Sequence, residues 1–273
     1  MQAIIGVGPT RTCSTWIYNL LAGTGYVAFP QPKEIEFFNR HYNRGMQWYW
    51  EQFSANAEHF CDISPRYIDH MATCERIWQA FPDARVVVGV RDPIERLQSS
   101  FKLWYRITRS RRIEDYQKFL LDDLHTQLLI ANRVEWLAER YGKRLIFVRH
   151  EDVRGDAVGT AQKLLTALGL SGAAVPQICE HQINSVHTLG ARWSTELAIA
   201  AWRHMELLWP GPAWRLRQWS EAHLLHRVEL EDAMPNWCFS IMTHRYRSLF
   251  EADAARLERL ARKLGIKLGN QVR

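Results

Sequence analysis

The chain has 273 residues, of which 47% are hydrophobic and 23% are charged, enough for one large α/β domain or one domain with an insertion. Its formal charge of +6 favours an anionic ligand or a polyanionic acceptor. The sequence carries no helix-turn-helix, zinc-finger or RNA-binding pattern, so nucleic acid is excluded as an expected partner.

Cysteine usage and hydropathy indicate the compartment. The five cysteines are an odd number without C-x-x-C spacing, which favours reduced thiols over a disulfide framework or a zinc site. The first predicted strand begins at residue 2, so we expect no signal peptide, and no apolar run approaches the length of a membrane helix. We therefore expect a cytoplasmic enzyme without a membrane span. The sequence makes no prediction of its oligomeric state.

Residues 2–21 predict a strand, a loop and a helix. An apolar run at 3–5 leads through Gly8 into a hydroxyl-rich bend at 10–15, and apolar residues then recur at helical spacing from Trp16. A loop at a helix N-terminus presents unpaired backbone N–H groups, which suit a phosphate. The stretch is therefore a candidate phosphate-binding loop; the alternative is an ordinary turn between a strand and a helix.

The candidate loop departs from the phosphate loop of nucleotide hydrolases, G-x-x-x-x-G-K-[ST]. Gly8 and Thr15 occupy the first and last positions, but Cys13 replaces the second glycine and Ser14 replaces the lysine. The cation of this loop is Arg11, which precedes the lysine position. We therefore expect the loop to hold a 5′-phosphate without the lysine that meets a triphosphate tail.

The next part of the chain is rich in aromatic residues. A second short strand is predicted at 26–29, and segment 33–38 places two carboxylates and a lysine beside two phenylalanines. Residues 45–53 predict an aromatic helix. Residues 62–67 predict a turn that leads into a helix ending near Phe81.

The remaining predicted elements of the core alternate between strands and helices. In order they are a β-branched strand at 84–90, a helix that starts at Pro93 and carries Ser99, a helix at 116–141, a strand at 144–148, and a helix from 151 to about 169. This alternation predicts an α/β fold with a P-loop-like parallel β-sheet flanked by helices on both faces.

The pattern changes in the C-terminal part. Tryptophan-rich helices are predicted at 193–237, with a break at 210–212, and a last helix at 246–264 ends at Gly265 as a C-cap would. We predict a single domain, 1–273. Its parts are an α/β core at 1–192, a helical, Trp-rich insertion or lid at 193–240, and a C-terminal helix at 241–273.

Three motifs in this order resemble those of sulfotransferases that use 3′-phosphoadenosine 5′-phosphosulfate (PAPS), particularly bacterial members and the heparan-sulfate branch. Residues 11–16, R-T-C-S-T-W, resemble the family's 5′-phosphosulfate loop, [KR]-[ST]-G-T-[TS]-W. Residues 91–93 with Ser99 resemble its 3′-phosphate motif. Residues 33–38 with 45–49 resemble the heparan-type catalytic segment, K-E-x-x-F-F followed by G-x-x-W-Y.

The resemblance implies an enzyme that transfers a sulfuryl group from PAPS to an acceptor hydroxyl by in-line displacement, releases 3′-phosphoadenosine 5′-phosphate (PAP) and needs no metal ion. Arg11 would also act in catalysis, because a cation aimed at the leaving phosphate stabilises the charge that develops there. The residues that would bind the donor are Arg11, Thr12, Cys13, Ser14, Thr15, Trp16, Arg91, Ser99 and Arg192.

Some of these donor-binding assignments carry alternatives. Trp16 occupies the family's adenine-stacking position, and a core helix residue is the alternative. Cys13 replaces a glycine, which costs strain if its φ is positive. Arg11 replaces the commoner lysine, but it keeps the charge and can bind two oxygens at once.

Glu34 is the predicted general base, with Glu36 as the alternative. Partial burial beside Phe37 and Phe38 would strengthen Glu34 as a base, and Lys33 would oppose that effect if it lies close. In an extended segment Glu36 shares a face with Glu34. We expect both Lys33 and Glu36 to contact the acceptor.

The expected acceptor is a hydroxyl-bearing small molecule or glycan. The heparan-like motifs favour a carbohydrate or glycoconjugate over a lipid or secondary metabolite. Trp214 and Trp219 are candidate acceptor-binding residues of a lid, because aromatic rings stack on the apolar faces of sugars; core packing is the alternative.

Two other function classes stay open at this point. A P-loop nucleotide or small-molecule kinase is disfavoured by Ser14 at the lysine position, and Asp92 is its nearest candidate for holding Mg²⁺. A non-catalytic glycan-binding module would fit the positive charge and the tryptophans. It would not explain Glu34 together with two phosphate motifs.

Overall fold

The computed structural model describes residues 2–53, 58–108, 114–115, 118–119, 129–177, 188–189, 227–228 and 236–265. The strands of its main sheet are β1 (Gln2–Gly6), β2 (Val27–Ala28), β3 (His59–Ile63), β4 (Arg85–Val90) and β5 (Leu145–Arg149). They are all parallel and lie in the order β2-β3-β1-β4-β5. A separate antiparallel pair consists of β6 (Thr188–Leu189) and β7 (Arg227–Val228).

Helices surround this sheet. They are α1 (Ser14–Gly23), α2 (Gly45–Glu51), α3 (Met71–Ala80), α4 (Pro93–Thr108), α5 (Ala131–Tyr141), α6 (His150–Gly155), α7 (Ala157–Ala167) and α8 (Asn236–Lys263). Short helical turns cover Phe37–His41 (a π-turn), Tyr42–Arg44, Pro65–Asp69 and Gly142–Arg144.

The sheet is buried on both faces because successive strand side chains point to opposite sides. Ile4 and Ile5 of β1 are both buried but belong to different hydrophobic clusters, and so do Val86 and Val87 of β4. One cluster packs the sheet against α2, α3, α5 and α8, and the other packs it against α1 and α7. Each large apolar side chain buried in this way contributes about 1.5–3 kcal/mol.

The strand order places a crevice beside β1. The chain runs from β1 to β2 and β3 on one side and then to β4 on the other side. In open parallel sheets, ligands bind outside the carboxyl ends of the strands at such a reversal. The loops after β1 and β4, which carry the two predicted phosphate motifs, open into this crevice.

The predicted fold class is confirmed, and so are several of its elements. The strands predicted at 84–90 and 144–148 correspond to β4 and β5, and the aromatic helix predicted at 45–53 is α2. The C-cap at Gly265 is also present: its φ is +73° and its N–H donates to the carbonyl oxygen of Arg262 at 3.0 Å.

The structure corrects the prediction at 62–67. Asp62 lies inside β3, a strand that the sequence does not predict, because a buried carboxylate is rare in a parallel sheet. The predicted continuous helix that follows is instead the turn Pro65–Asp69 and then α3, separated by the extended backbone of His70 (φ −134°).

Two other predicted helices are wrong in their extent. The helix predicted at 116–141 is not continuous, because residues 129–130 are not helical and α5 begins at Ala131; 116–117 and 120–128 lie outside the described residues. The Asp253 carboxylate fixes that start by accepting the N–H groups of Ile130 and Ala131 at 3.1 and 3.0 Å. The helix predicted from 151 to about 169 is divided into α6 and α7 by Asp156, which caps α7 by accepting the Gly159 N–H at 2.8 Å.

The C-terminal part also differs from the prediction where it is described. The last helix, α8, begins at Asn236 rather than Tyr246, and β7 is a strand inside the segment predicted to be helical. Most of the predicted lid at 193–240 lies outside the described residues. Within the part of the chain that the structure describes, none of the helices is both long and apolar enough to cross a membrane.

Candidate functional site

The loop between β1 and α1 has a strained backbone. Arg11 and Cys13 have φ angles of +67° and +59°, a region that residues with a side chain rarely occupy. Each residue held there costs about 1–2 kcal/mol. The strain expected for a positive φ at Cys13 is therefore present. Because such strain concentrates at binding and catalytic sites, the loop is a site candidate on geometry alone.

The end of this loop presents backbone donors. The first intrahelical hydrogen bond of α1 runs from the Ile17 N–H to the Cys13 carbonyl oxygen at 3.0 Å. The N–H groups of Ser14 and Thr15 come before that bond in the chain and therefore have no acceptor within the helix. Such N–H groups at a helix N-terminus bind anions. The loop can therefore hold a phosphate or sulfate group at these amides.

The loop rests directly on β4. A Cβ atom on Gly8 would lie 2.5 Å from the backbone nitrogen of Gly89, and a Cβ atom on Gly89 would collide with Thr12. Thr12 is buried, and its hydroxyl donates to the Pro9 carbonyl oxygen at 2.6 Å. The two glycines thus permit the close approach, and the side chain of Thr12 shapes the loop.

The two predicted phosphate motifs meet in the structure. The Arg11 guanidinium Nε donates to the Ser99 hydroxyl oxygen at 2.8 Å, although the two residues are 88 positions apart. Ser99 is a buried residue of α4, the helix that follows β4. The sequence predicts both residues as donor ligands, and the fold brings them together at the β1/β4 crevice.

Arg91 and Asp92 connect β4 to α4. Arg91 pairs with Glu95 one helical turn later, with Nη2 to Oε2 at 3.1 Å. The Asp92 carboxylate accepts the N–H groups of Ile94 and Glu95 at 2.9 and 2.8 Å, so it caps α4 ahead of Pro93. This carboxylate oxygen therefore has a structural role in the helix cap.

Charged groups of both signs and a half-buried histidine surround Arg91. Burial, followed by the charges of Arg91 and Arg154, lowers the pKa of His150 to about 4, so this imidazole is neutral near pH 7. Among the described residues, Glu95, His150 and Glu151 form a possible metal-ligand group. Both Arg91 and Arg154 already pair with Glu95. Glu95 is therefore already balanced by two cations.

Lys33 reaches the phosphate loop from the segment after β2. It is buried, and its Nζ donates to the Thr15 hydroxyl oxygen at 3.2 Å. The same Nζ lies 3.5 Å from Glu34 Oε1 and 5.1 Å from the centre of the Tyr18 ring. Burial lowers the pKa of Lys33, and the charge of Glu34 opposes that shift. The ammonium therefore stands at the donor loop.

The two candidate bases have different environments. The side chain of Glu34 is 47% exposed, whereas that of Glu36 is 17% exposed and pairs with Arg40 at 2.7 Å. Glu36 has a φ of +46°, so the segment is not extended there, and the alternation predicted to align the two carboxylates does not apply. Phe37 and Phe38 are fully buried in the core, while Glu34 stays half-exposed.

A buried hydrogen-bond network lies beneath this segment. Asp62 accepts the Ser64 hydroxyl at 2.9 Å and the Tyr67 hydroxyl at 2.7 Å. Those hydroxyl oxygens in turn accept the backbone N–H groups of Glu36 at 3.3 Å and Phe37 at 2.9 Å. Burial raises the pKa of Asp62 to about 7, although its hydrogen bonds to Tyr67 and Ser64 lower it.

Asp62, Ser64 and Tyr67 are not among the predicted site residues. The available signal was an aspartate next to a hydroxyl-rich turn, Asp62 followed by Ser64 and Tyr67. That spacing predicts a turn before a helix, whereas Asp62 belongs to strand β3. The partners in segment 33–38 lie about 30 positions earlier, and no local pattern connects the two segments.

The remaining predicted site residues fall into two groups. Trp16 is 2% exposed and packs in the cluster with Ile17 and Leu20, which favours its interpretation as a core residue over adenine stacking. Arg192, Trp214 and Trp219 lie outside the described residues.

Comparisons with known proteins agree with this geometry. A family model described as the sulfotransferase family matches residues 32–173, just over half of the chain. The membrane-associated sulfotransferase kil1 of Dictyostelium discoideum is 27% identical over 118 residues, which are 40% of this chain and 25% of that protein. The chain thus spans about a quarter of the length of that curated relative.

A solved structure has a similar fold. The crystal structure of a sulfotransferase from Alicyclobacillus acidocaldarius superposes with a TM-score of 0.65 at 16% identity, over 98% of this chain and 97% of that one. The family match itself spans segment 33–38, the Asp62 network and the Arg91 motif. On this match the chain belongs to the sulfotransferase family.

Proposed function

We propose that the protein transfers a sulfuryl group from PAPS to an acceptor hydroxyl and releases PAP. The observation that carries the proposal is the hydrogen bond between Arg11 and Ser99 in a member of the sulfotransferase family. It joins the loop expected to hold the 5′-phosphosulfate to the helix expected to hold the 3′-phosphate. A donor with phosphate groups at both positions would span this crevice.

The donor would be bound by groups on both sides of the crevice. The N–H groups of Ser14 and Thr15 and the guanidinium of Arg11 would hold the 5′-phosphosulfate. Arg91 and Ser99 would hold the 3′-phosphate, because both lie on the β4 side of the crevice and Ser99 is hydrogen-bonded to Arg11 of the phosphate loop. A role for Arg192 in covering that phosphate remains a prediction, as does the expectation that no metal ion is needed.

Lys33 is the second cation that we assign to the donor. The loop has Ser14 where nucleotide hydrolases have a lysine, and the Lys33 ammonium stands at the neighbouring Thr15 hydroxyl. From this position it would meet the bridging oxygen and the leaving 5′-phosphate as negative charge develops there. Contact with the donor thus has more structural support than the contact with the acceptor that the sequence suggests.

Glu34 is the general base in this proposal. The acceptor oxygen attacks the sulfur, its proton passes to the Glu34 carboxylate, and the bond from sulfur to the 5′-phosphate oxygen breaks in line with the attack. The Glu34 carboxylate is half-exposed and its ion pair with Lys33 is long, at 3.5 Å, whereas Glu36 is less exposed and pairs with Arg40 at 2.7 Å; this difference supports Glu34. Arg11 and Lys33 would stabilise the departing PAP.

The acceptor is proposed to be a carbohydrate or glycoconjugate, with lipids and secondary metabolites as the alternatives. The support is the heparan-type motif at 33–38, whose Lys33 contacts the donor loop and the Glu34 carboxylate. A contribution from Trp214 and Trp219 and a cytoplasmic location both remain predictions. The named Dictyostelium relative is membrane-associated.

Transfer of labelled sulfate tests the function directly. The protein is incubated with PAPS carrying ³⁵S and a panel of glycans, lipids and phenols, and in parallel with ATP carrying ³²P at the γ-phosphate. The proposal predicts labelled sulfate on a hydroxyl acceptor and no phosphate transfer. Phosphate transfer from ATP would establish the kinase alternative, against which the helix-capping role of Asp92 and the Ser14 substitution both weigh.

A further inference from the structure

We propose that Asp62 is a positioning residue: its ionised carboxylate holds segment 33–38 in its working geometry through Ser64 and Tyr67. This inference rests on the proposed function, because that segment carries Glu34 and Lys33. Asp62 would touch neither donor nor acceptor. Its ionisation state would set the fraction of the enzyme in which the base and the ammonium are correctly placed.

The connection consists of two parallel relays that start at neighbouring backbone amides. One runs from the Glu36 N–H to the Ser64 hydroxyl and on to Asp62 Oδ1, over 3.3 and 2.9 Å. The other runs from the Phe37 N–H to the Tyr67 hydroxyl and on to Asp62 Oδ2, over 2.9 and 2.7 Å. Both oxygens of one carboxylate therefore hold two consecutive residues of the segment.

The relays have a fixed polarity. A backbone N–H can only donate, so each hydroxyl oxygen accepts a hydrogen bond from the amide, and each hydroxyl O–H donates a hydrogen bond to Asp62. Both relays thus end on an acceptor, and an ionised carboxylate has two of them. A protonated Asp62 must donate its own proton, and at Ser64 or Tyr67 that proton would meet a hydroxyl already oriented toward it. One relay is then broken.

The network has no access to water that could repair such a break. Asp62, Ser64 and Tyr67 are all fully buried, and an unmade hydrogen bond at a buried group is costly. A break would therefore leave the hydroxyl hydrogen of Ser64 or Tyr67 without its acceptor, and the hydroxyl would have to reorient. That hydroxyl oxygen is the acceptor for the amide of Glu36 or Phe37, so its reorientation weakens the hold on the residues that follow Glu34.

Several titratable groups surround the carboxylate. Tyr67 and Ser64 contact it from the turn after β3, Tyr49 lies near it from α2, and Glu34 acts on it from its own segment. Cys61 is its neighbour on β3, and burial together with the charge of Asp62 raises the pKa of that thiol. Because burial is the dominant influence, the pKa of Asp62 is raised to about 7. The network therefore titrates near neutral pH.

The test uses Asp62→Asn with Asp69→Asn as its matched control. Asp69 is a buried aspartate of the adjacent turn, paired with Arg66 and outside both relays. Amide hydrogen exchange is followed in the peptide that contains Glu36 and Phe37, PAP affinity is measured by calorimetry, and kcat is measured from pH 5 to 9 with the acceptor found in the screen. Tyr67→Phe and Ser64→Ala break one relay each, and the same measurements on these two variants test the proposal if Asp62→Asn folds poorly.

For Asp62→Asn we expect exchange at Glu36 and Phe37 at pH 8 to be faster by about tenfold or more, because a buried hydrogen bond is lost. PAP affinity should stay within about twofold of wild type, since the phosphate loop does not depend on the relays. The decline of kcat on the acid side of about pH 7, which we expect for wild type, should be absent in this variant. Its kcat at higher pH should be lower than that of wild type. Asp69→Asn should keep the wild-type exchange and pH profile.

The inference is overturned if Asp62→Asn, Tyr67→Phe and Ser64→Ala all keep wild-type exchange in this peptide and the wild-type decline of kcat on the acid side. Glu34→Gln, measured in parallel, separates this failure from failure of the proposed base. If Glu34→Gln turns over like wild type, the base assignment fails whatever the exchange data show. If Glu34→Gln loses activity while the relay variants keep exchange and pH profile, the positioning role alone fails.

Discussion

The phosphate loop and segment 33–38 are fixed in place by different means. The loop is held by its own backbone: Gly8 and Gly89 allow direct contact with β4, and two residues accept positive φ angles. Segment 33–38 is held by side chains from a distant turn, through two relays that end on Asp62. The donor side should therefore be insensitive to pH near neutrality, whereas the side that carries the base should respond to it.

The largest effect is expected from the base itself. Glu34→Gln should lower kcat by about 10²- to 10⁴-fold, the range for general acid–base catalysis, and leave PAP affinity unchanged. Glu36→Gln is the matched control, because it removes the same charge from a carboxylate that pairs with Arg40. Steady-state kinetics that reverse the roles of the two variants would show that Glu36 is the base.

Substitution of Lys33 tests whether segment 33–38 contributes a cation to the donor site formed by the phosphate loop. Lys33→Met should lower kcat by about 10²- to 10³-fold, the usual loss for one charge-stabilising donor in a transition state. The acceptor KM should change little, since the ammonium stands at Thr15. Lys143→Met, at an exposed lysine before β5, is the control. A raised acceptor KM with normal kcat would instead support acceptor binding by Lys33.

Gly89→Ala should disturb the phosphate loop through its backbone contact. The added methyl group would collide with Thr12, and overpacking of this kind costs about 1–3 kcal/mol of the free energy of unfolding. PAP affinity should fall with it, whereas the exchange of the Glu36 and Phe37 amides should not change. Gly155→Ala, where a Cβ atom would meet open space, is the control. A variant with wild-type stability and PAP affinity would contradict a loop fixed by backbone packing.

Asp62 makes stability and activity respond to pH in opposite directions. The native pKa of about 7 lies above the ordinary value of about 3.9, so between about pH 4 and 7 the folded state retains a proton that the unfolded state releases. The free energy of unfolding should therefore fall as pH rises through this interval, by up to about 1.4 kcal/mol per pH unit from this group. Urea denaturation should show that Asp62→Asn lacks this contribution and Asp69→Asn retains it; equal slopes would mean that Asp62 titrates outside the interval.

The smallest effect is expected at Cys13. Cys13→Gly removes the Cβ atom from a position with φ +59° and should raise the free energy of unfolding by about 1 kcal/mol. Thermal denaturation should then show an increase in Tm of about 2–4 °C for a domain of this size. Thr24→Gly, at a residue with an ordinary φ of −73°, should lower Tm. A lower Tm for Cys13→Gly would mean that the cysteine side chain contributes more packing than its conformation costs.

The same contrast explains what could be predicted from the sequence. The phosphate loop is encoded in consecutive residues, with Gly8, Arg11 and Thr15 at fixed offsets. The run of β-branched residues in β4 likewise predicts a strand from the local sequence alone. Strand β3 and the Asp62 relays depend on partners about 30 positions away, and a polar residue in a buried strand resembles a turn. The start of α5 likewise depends on Asp253, a residue of the last helix.

The central claim is that the β1/β4 crevice binds a nucleotide with phosphate groups at both the 5′ and the 3′ positions. Calorimetric titration of wild type and Arg91→Met with PAP and with AMP tests it most directly. The account predicts that wild type binds PAP about 10- to 150-fold more tightly than AMP, as one charge-assisted phosphate contact allows, and that Arg91→Met loses most of this preference. Equal affinity of wild type for PAP and AMP would contradict it.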